Sequence, residues 1–236
     1  LPSIDRAEIR RQQYYTTECE DCYIDYLKSK SRSHTSCDDF KIRLNKMFQE
    51  LCSDKLSKTV LKVVSTAPYL DIRFDYKSEN VQGITGCSNT STRGLTFSEE
   101  QRIFIGGSAK EDEVRGTFSH EMCHLALYLV YRNNGKPYFR DDTKREHEYK
   151  VILNDIKRMG NDMHLLIQQA FMENEEEELI VRVPHILAQY GSHHANVLLE
   201  REIPGLRNFF KNVVIPDMQT YIENIIPPID SVKIKE

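Results

Sequence analysis

The sequence predicts an α+β fold, with helices towards both ends of the chain and a small twisted sheet between them. Three observations carry this. Apolar residues recur at helical spacing around Phe40, Leu44, Met47, Phe48 and Leu51. They alternate with period two across Leu70-Asp-Ile-Arg-Phe-Asp-Tyr76. From Val114 to Tyr131 there is no proline and a single glycine, Gly116, behind the acidic start Glu111-Asp112-Glu113 that suits a helix N-terminus.

Composition narrows the class. With 236 residues, 39% hydrophobic and 29% charged, the chain suits one compact domain or a domain with a helical extension. A net charge of −4 gives no broad basic footprint, so nucleic acid is not an expected partner. No apolar run approaches the ~20 residues of a membrane span, so a membrane is not expected either. The chain begins at Leu1 rather than Met and shows no signal-peptide pattern, which reads as a domain of a longer protein. Six cysteines are too sparse for a disulfide scaffold at this length, which favours an intracellular, cytoplasmic setting.

In chain order, residues 4–30 read as a helix with a tyrosine-rich face, and Ser29 to Ser36 as a polar, basic linker. Cys19-x-x-Cys22 with His34-x-x-Cys37 has the internal spacing of a structural zinc site, although Cys19 and Cys22 fall in a helical pattern. Asp38 or Asp39 caps the helix of Phe40 to Leu51. Val60-Leu-Lys-Val-Val64 is rich in β-branched residues and reads as a strand. So do Leu70–Tyr76, Ile84–Ser88, Gly94–Phe97 and Arg102–Ile105. Asn133-Asn134-Gly135 ends the long helix after Tyr131. Thr143 and Glu146 form a capping box for a helix through Tyr149, Ile152, Leu153 and Ile156 to Met159. A further apolar helix is expected near His164–Met172, and the acidic run Glu173 to Glu178 reads as a solvated helix start. Gly205 to Ile226 is helical, with a break near Pro216.

The chemistry sits in His120-Glu121-Met122-Cys123-His124, an H-E-x-x-H pattern. Histidines four residues apart on a helix share one face, and both can reach one Zn²⁺. Glu121 can lean over the open coordination position and take a proton from a metal-bound water. Cys123, between the histidines, reads as a buried free thiol.

On these residues the chain resembles the zincin metallopeptidases, most of all the gluzincin type, whose third ligand is a glutamate on a later helix. A weaker similarity to SprT-like proteases lacks their H-G-x-x-W/F segment, and the metzincin H-x-x-G-x-x-H is missing. The resemblance covers about residues 95–160 and implies a zincin-like fold with a helical C-terminal lobe. It implies a catalytic domain over 59–236 after an N-terminal helical segment over 1–58. It also implies an edge strand beside the cleft that pairs with extended substrate, either Ile103 to Gly107 or Gly83 to Ser88.

Catalytic zinc takes three protein ligands plus water. Of Glu146, His147 and Glu148, the sequence favours Glu148, which shares a stripe with Ile152, Ile156 and Met159. A carboxylate there is costly unless something pairs with it. Glu146 is occupied by the capping box, and His147 shares a polar face with Lys150, Val151 and Asn154. The oxyanion needs a stabilising donor, and His185 is the first candidate, ahead of Tyr190, His193 and His194. Glu178, Arg182 and His185 share a helix face, which also reads as a structural network. The expected function is zinc-dependent hydrolysis of peptide or protein substrates, with Glu121 as general base. A silent zincin-fold recognition module, and a metal hydrolase of other bonds, are the alternatives.

Overall fold

The computed structural model describes residues 22–34, 39–76, 94–107, 110–132, 143–159, 166–167, 170 and 176–225. Its elements run α1 (Cys22–Ser29), β1 (Ser31–Ser33), α2 (Phe40–Leu51), α3 (Lys55–Val64), β2 (Asp71–Tyr76), β3 (Gly94–Phe97) and β4 (Arg102–Gly106). Then come α4 (Glu111–Tyr131), α5 (Thr143–Met159), α6 (Glu176–Tyr190), α7 (Ser192–Glu202) and α8 (Pro204–Phe209). A π-helical turn (Phe210–Val214) leads straight into α9 (Ile215–Ile225). Mixed helix and sheet agree with the α+β class.

The strands lie in the order β1-β2-β4-β3, with β3 alone antiparallel, on β4. In β2, Ile72 and Phe74 face the core and Asp71 and Arg73 turn away from it; the register then shifts at Asp75, whose φ is 60°, and Tyr76 packs on Phe104 at 5.0 Å beside Arg73. Phe74 meets Phe118 of α4 at 5.1 Å, and Phe48 of α2 meets the same ring at 5.7 Å. Sheet, N-terminal helices and α4 therefore share one aromatic core.

Several expectations are corrected. Val60–Val64 belongs to helix α3. Asp54 caps it by accepting the Ser57 N–H at 2.8 Å, and Val60, Leu61, Val63 and Val64 are all buried. Capping and burial outweigh the β preference of valine. Within the Ser29–Ser36 stretch, Ser31–Ser33 is a strand, which pairs Ser31 with Ile72 and Ser33 with Phe74. Ile103 to Gly106 is an interior strand, and among the described residues β1 and β3 are the edges of the sheet. The expected break near Pro216 is replaced by the π-helical turn. A widened turn accommodates a ring that would clash with the carbonyl four residues back.

The long helix α4 ends at Tyr131 with Arg132 in the left-handed conformation at φ 50°. Residues 133–135, Ile84–Ser88, Cys19 and Cys37 lie outside the described residues. Of the proposed second zinc site, Cys22 is half-buried on α1, and His34 stacks on Tyr76 at 4.7 Å. Leu166, Ile167 and Ala170, inside the expected helix near His164–Met172, are helical and buried. Among the described residues no helix is long and apolar enough to cross a membrane.

Candidate metal centre

The centre is built where α4 crosses α6. Both helices are buried almost all round: Phe118, Met122, Leu125, Ala126 and Leu127 on α4, Leu179, Ile180, Val181, Val183 and Ile186 on α6. Their close approach depends on Gly116. A Cβ there would lie 2.9 Å from Gln189 Cβ and 2.9 Å from His185 Cδ2. Pro184 inside α6 gives the pair a further tie, since its carbonyl accepts the Ser119 hydroxyl at 3.2 Å. The helices run antiparallel, so Gly116 faces Gln189, His120 faces His185, and His124 faces Glu177 and Glu178.

His120, His124 and Glu178 bring their ligand atoms within 4.8 Å of one another. His120 Nε2 and His124 Nε2 are 3.1 Å apart. Glu178 sets one oxygen 3.3 Å from His120 Nε2 and the other 2.9 Å from His124 Nε2. Ligands about 2.0–2.1 Å from a tetrahedral zinc lie roughly 3.3–3.4 Å from each other, so this spacing fits the ion. The donor set fits as well. Two ring nitrogens and a carboxylate converge on a point that at most one or two protons can share, whereas a divalent cation meets a lone pair from each group.

Outer contacts aim these ligands. Glu177 lies 2.7 Å from His124 Nδ1, and a proton on that nitrogen leaves Nε2 free to ligate. Behind His120 stands His185. The Arg182 guanidinium, which can only donate, meets His185 Nδ1 at 3.3 Å. The His185 proton therefore belongs on Nε2, which donates to Gln189 Oε1 at 3.1 Å. His185 Nδ1 also lies 3.4 Å from His120 Nδ1, an acceptor that favours a proton there and a lone pair on His120 Nε2. Arg182 reaches Glu178 too, at 3.5 Å.

The electrostatics are those of a buried site. Burial, with the neighbouring His124 charge, pushes His120 down to about 4, against the pull of Glu178. Burial opposes charge on His124 as well, but Glu177 and Glu178 hold it well above the usual imidazole value. Burial likewise opposes charge on Glu178, yet the two imidazoles hold it below the carboxylate range. Glu121 is pushed up to about 7 by burial, against the charge of His124 and the hydroxyl of Thr96.

The structure brings together His120, His124 and Glu121, and the carboxylate beside the two histidines is Glu178. Glu148 is exposed on α5, whose buried stripe is Tyr149, Leu153 and Ile156. One residue of helix phase, about 100°, separates it from the core. Glu146 binds Lys150 at 2.6 Å, and His147 is exposed. His185 is buried behind His120 and does not stand over the face where the ligand atoms meet. Tyr190 and His193 and His194 are exposed. Tyr190 is about 18 Å along the α6 axis from Glu178. A signal for Glu178 does exist in the sequence: Glu178, Arg182, His185 and Gln189 are the polar stripe of a helix otherwise apolar from Leu179 to Ala188.

Compared with protein families and with curated proteins, the chain gives no match.

Proposed function

We propose that this chain is a zinc-dependent metallopeptidase of zincin-like fold. One observation carries the reading: a carboxylate remote in sequence, Glu178, meets both histidines of the H-E-x-x-H pattern at ligand spacing, with Glu121 buried beside them. The short antiparallel edge strand β3 beside α4 supports the fold part of the proposal.

Bound zinc would polarise the scissile carbonyl and lower the pKa of a water to about 7. Glu121 would take a proton from the attacking water and hand it to the leaving amine. His120, His124 and Glu178 would hold the ion, with Glu177 orienting His124 and Arg182 with His185 orienting Glu178 and His120.

The test is metal content and cleavage of fluorescein-labelled casein and a peptide library, with and without chelator. The wild type should carry zinc and lose activity in chelator. Glu121→Gln should keep zinc and lose activity by about 10²–10⁴-fold. Equal zinc in the wild type and in His120→Ala with His124→Ala would sink the metal site. Zinc without peptide cleavage would favour the recognition module or a non-peptide hydrolase.

A further inference from the structure

We propose that Thr96 and Gly94 of the edge strand are positioning residues for the Glu121 carboxylate, Thr96 by holding one oxygen and Gly94 by leaving room for the other. The inference rests on the peptidase reading and deepens it. Residues two apart on a strand share a face, and Gly94 and Thr96 both turn towards α4. Leu95 and Phe97 turn the other way, and Phe97 packs edge-on against Phe104 at 5.8 Å.

The Thr96 hydroxyl lies 2.6 Å from Glu121 Oε2 and 3.0 Å from the Glu121 carbonyl oxygen. Its one proton is shared between the helix carbonyl and the side chain of the same residue, which ties the two together. A Cβ on Gly94 would stand 2.6 Å from Glu121 Oε1, 2.7 Å from its Cγ and 2.7 Å from Thr117 Cγ2. No side chain larger than hydrogen fits without moving the carboxylate or lifting the strand. With Oε2 tied to Thr96, Oε1 is the oxygen left to accept a proton. Glu121 is 6% exposed, so the strand, not solvent, selects its rotamer. A general base works only at hydrogen-bond reach of the proton it takes, and misplacement by an ångström costs about 10²-fold.

The experiment compares zinc-loaded wild type with Thr96→Val, Thr96→Ser and Gly94→Ala. The non-turnover probe is acetohydroxamic acid, which chelates the metal and presents an N–H and a hydroxyl to the adjacent carboxylate. Thr96→Val should keep its zinc and melting temperature, bind the probe about tenfold more weakly and lose casein kcat by about 10–100-fold with KM little changed. Thr96→Ser, which restores the hydroxyl, should stay within about threefold of wild type. Gly94→Ala should likewise keep zinc, weaken the probe and lower kcat, but with a lower melting temperature, since its Cβ displaces the carboxylate or the strand. Wild-type probe affinity and kcat in Thr96→Val, or a serine variant as poor as the valine, would overturn the positioning role alone. Absence of zinc from the wild type would overturn the metal reading, and this inference with it.

Discussion

Replacing Glu178 by glutamine separates the metal-centre geometry from the third ligand favoured by the sequence. Four-ligand structural zinc sites carry apparent binding energies of about 10–16 kcal/mol, or roughly 3 kcal/mol per ligand. Losing one ligand then weakens binding by about 100-fold. The assay is thermal melting in chelator and in zinc at about 100 times the wild-type Kd. There the wild type gains about 2.7 kcal/mol and Glu178→Gln only about 0.4 kcal/mol. For a chain of this size these correspond to shifts of about 5–11 °C and 1–2 °C. In chelator the variant should already melt lower, because the buried Arg182 loses a charged partner. Glutamine keeps the shape and one acceptor, so about 1–3 kcal/mol is expected for that part. Glu148→Gln is the control, and its exposed side chain should leave both curves unchanged. A full zinc shift in Glu178→Gln, or its loss in Glu148→Gln, would refute the reasoning.

Two further perturbations probe the scaffold. Gly116→Ala should lower the melting temperature in chelator and weaken zinc binding. A Cβ 2.9 Å from Gln189 and His185 forces α4 and α6 apart at about 1–3 kcal/mol, more than the ~1 kcal/mol alanine gains in helix propensity; a higher melting temperature would contradict the close approach. At Asp71, burial raises the carboxyl, but Arg73 and Arg32 outweigh it and hold the group below its ordinary value. The folded pKa is depressed, so the stabilisation is present above the unfolded value of about 3.9 and is lost as pH falls through the folded one. Asp71→Asn should therefore destabilise by about 1 kcal/mol at neutral pH, and urea titrations should show the gap to wild type closing below about pH 4.

How much of this was legible depends on range. His120, Glu121 and His124 share one helical turn, so their spacing alone defines a common face. Glu178 lies on another helix, and its meeting with His124 depends on how α4 and α6 cross, which no local pattern encodes. The preference for Glu148 applied a sound rule, that buried carboxylates need partners, to a helix phase one residue off. The rule fits Glu178 better, whose neighbours Leu179, Ile180 and Val181 are all buried. β2 and β4 were legible because alternation and β-branched residues mark them. β1 was not, because Ser31-Arg32-Ser33 has no apolar residue and is a strand only through its register on β2. The β-branched run in α3 misled for the opposite reason: a helix buried on most sides looks like a buried strand.

The π-helical turn between α8 and α9 acts as an angular offset. Its closing bond runs from the Ile215 N–H to the Phe210 carbonyl, five residues back, so the chain holds one residue more than an α-helix would at that level. Every side chain after it is rotated by about 100° relative to an uninterrupted helix. That rotation aims Asp217 at the Tyr131 hydroxyl, 2.5 Å away, and at Arg145, 2.6 Å away. One turn further on it brings the Tyr221 hydroxyl to 3.1 Å from Thr66 of the turn after α3. A single extra residue in the last helix thus decides which face of it grips the C-terminal end of α4, on the same helix that carries His120 and His124 further up.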